Sequence, residues 1–315
     1  MRLQIKLDEY CIILNGERLM RILITGLLPY DSGKTEFVLG LSESLKELGF
    51  DIGYFKPLAG HNGWYQYETL IYSNNTGLLI GHDAYIVAEK LGLINLLPII
   101  SPLDILTFPI DPLGKVYSSR SYMEHMSSTS KITVLIRYTR NFIQNHKLVN
   151  QHLYIICRDT VEKLTNDLRE TFENLINSLK RDNALFIEAN TLFVEKFLEN
   201  PQIYKTIDEN LVFLDKYSVL LIESYNDAAA PTMGSLDSDY VFIVSPGKAL
   251  IYEGDRFKKA VLVSAYRGYP WSVKLSNIFE VLGKPLEKYD IPLKLYSEKY
   301  RAVFDNIAEF ITRSI

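Results

Sequence analysis

Cysteine is scarce in this 315-residue chain: Cys11 and Cys157 are its only two. They form no Cys-x-x-Cys pair, which argues against a zinc knuckle and a disulfide framework. The five histidines show no His-x-x-x-His spacing, so no structural metal is expected. A basic excess is missing as well. The 34 Lys and Arg are outnumbered by 38 Asp and Glu, for a net charge of −4. A duplex-binding chain carries a basic patch or stripe, so nucleic acid is not expected as a main partner. No apolar run approaches the ~20 residues of a membrane span. Residues 1–20 alternate apolar and charged side chains and lack the apolar core and small-residue cleavage site of a signal peptide. The expectation is a cytoplasmic protein with no membrane partner. Internal repeats and low-complexity linkers are also absent.

What is present is hydrophobic material, 47% of the residues against 23% charged. That is enough for a substantial core and argues against disorder. Residues 1–19 precede the first strong strand and read as an N-terminal extension, with Asn15-Gly16 offering a hairpin turn. Residues 20–315 read as one domain, elaborated around 113–215.

Residues 21–25, Arg-Ile-Leu-Ile-Thr, form a short apolar run of the buried-strand type. A loop follows from Gly26 to Gly33. Residues 34–48 then place Phe37, Leu41, Leu45 and Leu48 at helical spacing, and Gly49 stops the helix. A second strand over 51–55 ends at Lys56-Pro57. Strand, glycine-bearing loop, helix and strand make a βαβ unit. Further along, helices are expected at 82–91, 160–179, 191–198, 273–282 and 298–311. Strands are expected at 132–136, 153–156, 218–222, 240–244 and 260–263. Short buried strands alternating with helices imply an α/β fold, a mostly parallel sheet with helices on both faces.

The chemistry concentrates in Asp31, Ser32, Gly33, Lys34, Thr35 and Glu36. A glycine turn feeding a helix N-terminus points backbone N–H groups at one spot, and the helix dipole adds a field that favours phosphate. Gly33 permits close approach, Lys34 reaches the β- and γ-phosphates, and the Thr35 hydroxyl ligates Mg²⁺. Six residues separate Gly26 from Gly33, where four are usual, so the loop must bulge. Asp31 is placed to orient water or to steady the loop. No Asn-Lys-x-Asp guanine-reading motif is present, which favours ATP over GTP. Ser245-Pro246-Gly247 and residues 264–269 follow late strands and are the expected neighbours of the base.

A strand, a lengthened loop ending Gly-Lys-Thr, a helix, and a strand ending Lys-Pro resemble dethiobiotin synthetase. The wider likeness is to the P-loop branch that holds the cobyrinate amidating enzymes and the MinD and nitrogenase-iron-protein ATPases. An archaeal group of P-loop ATPases or GTPases is also similar. His82-Asp83-Ala84 resembles the segment whose Asp helps to hold Mg²⁺. Leu220-Leu221-Ile222-Glu223 resembles the strand that ends in a Mg²⁺-linked Glu. The resemblance covers about half the chain, the sheet-forming part. It implies a P-loop NTPase fold, Mg²⁺ held by Thr35, Asp83 and Glu223, catalytic lysines Lys34 and Lys56, and a possible homodimer. Two departures argue against dethiobiotin itself as product. Leu58-Ala59-Gly60-His61 lacks the hydroxyl residue expected after Lys-Pro, and Tyr225 and Asn226 stand where small residues are expected.

Each position also has a plainer reading. Lys56 would be an exposed strand-end lysine, Asp83 a helix N-cap, Glu223 a surface residue. Trp64, Tyr65 and Tyr67 would line a pocket or pack on the core. The function expected is Mg-dependent nucleotide binding, with hydrolysis or phosphoryl activation of a small carboxylate or carbamate. A nucleotide-gated switch or assembly factor and a non-catalytic relative stay open as alternatives.

Overall fold

A computed structural model describes residues 20–114, 118–180, 183–265 and 268–313. The extension expected over 1–19, with its Asn15-Gly16 turn, lies outside the described residues. In chain order the elements are β1 (Met20–Gly26), α1 (Lys34–Glu47), β2 (Ile52–Phe55), β3 (Leu58–Asn62), α2 (Glu68–Thr76), α3 (His82–Leu91), β4 (Leu103–Thr107), β5 (Thr133–Gln144), β6 (Lys147–Cys157), β7 (Ala184–Ala189), β8 (Val219–Glu223), β9 (Tyr240–Ser245), β10 (Lys248–Glu253) and β11 (Glu287–Asp290). Further helices include Asn166–Leu179, Thr191–Glu199, Pro201–Asp208, Gly254–Ser264 and Ser297–Thr312.

The chain is α/β, but its strands form two mixed sheets rather than one mostly parallel sheet. The first has the order β11-β10-β9-β1-β8-β2, the second β3-β4-β5-β6-β7. In the first, β9, β1, β8 and β2 run parallel, while β10 and β11 add an antiparallel edge. The edge arises because Pro246-Gly247 turns β9 straight back into β10, pairing Ser245 with Lys248. Gly247 takes the positive φ that this tight turn requires. In the second sheet β5 and β6 form a hairpin whose two-residue turn is Asn145-His146, both at positive φ. That is the primed turn which matches strand twist. It extends the expected strands at 132–136 and 153–156 into one long ribbon.

Two further expectations are corrected. Residues 260–263 are not a strand; they lie in the helix Gly254–Ser264. Phe257 and Val261 are buried there, while Val263 is exposed, the one-sided pattern of a helix. Residues 273–282 do not form an α-helix; the 3-10 turn Leu275–Asn277 lies there instead. The start of the segment is engaged elsewhere: Val273 O accepts from Ala229 N–H, and Leu275 N–H donates to Asp227 O, each at 2.8 Å. The helix expected over 160–179 starts at Asn166, where the Thr165 side chain caps it.

Among the described residues three large apolar clusters fill the layers, and a small fourth gathers around Ile110 and Ile132. One contains Ile22, Ile24, Tyr54, Val219 and Leu221 together with Phe37, Leu41 and Leu45 of α1 and Phe304 of the helix Ser297–Thr312. Another joins Leu23, Phe55, Leu220 and Ile222 of the first sheet to Leu103, Ile105, Ile136 and Ile155 of the second. The third lies between the far face of the second sheet and Leu168, Phe172 and Leu175. Full burial of Phe37, Leu41 and Leu45 contributes about 1.5–3 kcal/mol each. It clamps α1 to the sheet and so fixes the loop that precedes it. Only Lys56-Pro57 separates β2 from β3, so the chain passes from one sheet to the other at Lys56. No helix among the described residues is long and apolar enough to cross a membrane.

Candidate functional site

The loop after β1 is held open by two glycines and pinched by one serine. At Gly26 an added Cβ would stand 2.4 Å from Ser32 Oγ and 2.8 Å from Lys34 Nζ. Only glycine lets the loop fold back over the strand end. The Ser32 hydroxyl is buried, donates to Leu28 O at 2.7 Å and accepts from Leu28 N–H at 3.2 Å. That closes the extra residues into a small outward turn, with Leu28 and Tyr30 exposed at its tip. The bulge required by the six-residue spacing is therefore confined to 28–32. Gly33 follows at φ 83° and precedes α1 without a side-chain cap. A helix start leaves N–H groups without intrahelical partners, and among the described residues no side-chain cap takes them up here.

Around this helix start the structure gathers five of the expected residues. Lys34 Nζ donates to Asn226 O at 2.8 Å. Thr35 Oγ1 donates to Glu223 Oε1 at 2.9 Å. Lys56 Nζ contacts the same Oε1 at 2.5 Å and Asp83 Oδ2 at 3.0 Å. Glu223 is 0% exposed and Lys56 4%, so neither is the surface residue of the plainer reading. Asp83 makes no cap hydrogen bond; α3 begins after Gly81 with no side-chain cap. The start of α3 is instead anchored from the second sheet, where Asp104 Oδ2 accepts Gly81 N–H at 2.8 Å. His61 Nδ1 lies 3.0 Å from the other oxygen of Asp104.

Charge balance in the cluster follows from burial and proximity. Burial pulls the Lys56 ammonium down, but Asp83 and Glu223 together outweigh it, and its pKa ends above that of an ordinary lysine. Burial pushes the Asp83 carboxyl up, yet Lys56 holds it below the usual carboxylate value, with help from His82 and the Thr35 hydroxyl. Lys34 is different. Burial lowers its pKa, the positive charge of Lys56 lowers it further, and the nearby carboxylates only partly compensate. Of the two lysines, Lys34 is thus the one whose charge the carboxylates compensate less fully.

Asp31 and Glu36 do not join the cluster. Asp31 is exposed at φ 53° in the turn. The Glu36 carboxylate accepts from Lys294 at 2.7 Å, so what Glu36 offers the loop is its backbone. Trp64, Tyr65 and Tyr67 stand exposed. Among the described residues, 245–247 form the β9–β10 hairpin turn.

Tyr54 was not singled out in the sequence, and Asn226 was noted there only as standing where a small residue is expected. The Tyr54 hydroxyl donates to Glu223 Oε2 at 2.7 Å, both side chains being fully buried. Its pKa is raised well above the ordinary phenol value by burial and then by Glu223, so it stays a donor. A signal existed: Tyr54 precedes Lys56 by two, the strand period that puts both on one face. Asn226 takes φ 47° in the loop after β8. That loop is fastened by Thr25 Oγ1 and Ser224 Oγ, both donating to Ala228 O, and by the bridge from Ala228 to Lys274.

Two carboxylates and a hydroxyl are oxygen donors of the kind Mg²⁺ takes, though among the described residues no group of three or more His, Cys, Asp or Glu side chains is placed to hold a metal. The Lys56 ammonium already sits against both carboxylates, which marks the position as one built for positive charge. The chain matches no protein-family model, no curated protein and no solved structure.

Proposed function

We propose that this chain binds a nucleoside triphosphate with Mg²⁺ at the loop between β1 and α1 and hydrolyses or transfers its γ-phosphate. In this reading it is a P-loop protein of the dethiobiotin synthetase-like branch, with ATP preferred to GTP. The observation that carries the reading is the uncapped N-terminus of α1 after Gly33, set beside the Lys34–Thr35–Lys56–Asp83–Glu223 cluster. Backbone N–H groups and Lys34 receive the phosphates. Thr35, Asp83 and Glu223 are the residues that would hold Mg²⁺, which supplies charge neutralisation at the transferring group. Phosphoryl transfer needs mainly positioning and charge stabilisation, and Lys34 and Lys56 would contribute to both. The acceptor is water or a small carboxylate or carbamate.

A second reading rests on the tie from Lys34 to Asn226. A phosphate that draws Lys34 away removes one of the ties on the loop after β8, and nucleotide would in that way bias a partner surface there.

Calorimetric titration of ATP and GTP, with and without Mg²⁺, tests the proposal beside Lys34→Ala. The expected result is Mg-dependent binding that weakens about 10- to 100-fold in the variant, the worth of a hydrogen bond to a charged group. Absence of binding by either nucleotide, or binding indifferent to Lys34, would overturn it.

A further inference from the structure

Building on the Mg-nucleotide reading, we propose that Lys56 is a tethered stand-in for the metal: its ammonium occupies the cation position, and Mg²⁺ enters only by displacing it. The argument turns on a single oxygen. Glu223 has two carboxylate oxygens, and Tyr54 holds Oε2. Only Oε1 faces the remaining groups, and it already receives Thr35 Oγ1 at 2.9 Å and Lys56 Nζ at 2.5 Å. The same ammonium lies 3.0 Å from Asp83 Oδ2. The two carboxylate oxygens that would ligate the metal thus converge on one side-chain nitrogen.

The two cations exclude each other. Mg²⁺ bonds its oxygens at about 2.0–2.1 Å, inside the space the ammonium now fills. Two positive charges packed against one buried carboxylate also repel strongly where water does not screen them. Lys56 is not free to retreat as a whole, because its backbone N–H is bonded to Ile100 O at 2.9 Å. What moves is the side chain, out of the cation position. A bound triphosphate offers the displaced ammonium an anionic partner and eases the exchange; the metal alone drives it only at higher concentration. Metal uptake is therefore coupled to phosphate uptake, and the site without nucleotide keeps its carboxylates neutralised from within.

Mn²⁺ in place of Mg²⁺ gives the test, through loss of the free-ion paramagnetic resonance signal on binding without nucleotide. A site whose competent form is a minor one binds with its affinity reduced by that fraction, so Lys56→Met binds Mn²⁺ about tenfold or more tightly than the wild type. The same variant melts at a lower temperature without metal, and Mn²⁺ raises its melting temperature more than it raises that of the wild type. A second measurement needs no variant. Amine-reactive labelling read by peptide mass spectrometry shows Lys56 protected in the metal-free wild type and labelled when Mn²⁺ saturates the site. A folded Lys56→Met that binds Mn²⁺ no more tightly than the wild type overturns the proposal, as does Lys56 labelling that saturating Mn²⁺ leaves unchanged. Should Lys56→Met not fold, the wild-type labelling decides. Failure of both chains to bind Mn²⁺ even with ATP present removes the nucleotide reading itself, whereas Mn²⁺ binding without gain in the variant removes only the stand-in.

Discussion

Tyr54→Phe isolates one hydrogen bond in the most buried part of the site. The substitution keeps the ring and its packing and removes only the hydroxyl that donates to Glu223 Oε2 at 2.7 Å. Both side chains are 0% exposed, so water does not replace the lost donor. A hydrogen bond to a charged group contributes about 1.5–3 kcal/mol, and the variant should lose that much stability. The same change made in a Glu223→Gln background removes a bond between neutral groups, with about 0.5–1.5 kcal/mol at stake. The double-mutant cycle therefore carries a coupling of about 1 kcal/mol. Urea unfolding measures it through the midpoint, at an unchanged dependence on denaturant. A loss below about 0.5 kcal/mol, or an equal loss in the two backgrounds, would refute the claim that Tyr54 fixes Glu223.

Two further outcomes are expected. Gly26→Ala places a methyl 2.4 Å from Ser32 Oγ and 2.8 Å from Lys34 Nζ; the loop must shift, so calorimetry should show nucleotide affinity falling by more than global stability does. The folded-state pKa of Asp83 lies below its unfolded value, so the stability it contributes is present above the unfolded carboxylate value and disappears as pH falls through the folded one. Lys56 is raised instead, so its share persists below the ordinary lysine value and is lost only at more alkaline pH. The melting-temperature gap between wild type and Asp83→Asn should hence be flat across neutral pH and close in acid; a gap that widens in acid would contradict the ion pair.

Periodicity made much of this protein legible. The βαβ unit over 20–55 was readable because β1 is a continuous apolar run and α1 repeats its apolar residues at helical spacing. The helices at 82–91 and 298–311 were readable for the same reason. Short apolar runs were not. Residues 260–263 satisfy a strand and a buried helix segment equally, and only the packing of Phe257 and Val261 decides. Residues 273–282 carry helical spacing, yet at their start Val273 and Leu275 bond to Ala229 and Asp227.

The sequence by itself determined the α/β character, the loop with Gly33, Lys34 and Thr35 at the start of α1, and the candidates Lys56, Asp83 and Glu223. These depend on local spacing and on residue type, which neighbours in the chain reveal. Tertiary structure decided that those candidates meet. Glu223 follows Thr35 by 188 residues and Lys56 by 167, and only the pairing of β8 between β1 and β2 brings them into contact. It also decided that the strands divide into two sheets at Lys56-Pro57, that Tyr54 takes one oxygen of Glu223, and that Glu36 turns away to Lys294. Each of those outcomes depends on which distant groups compete for one buried partner, and that competition is settled by the fold as a whole.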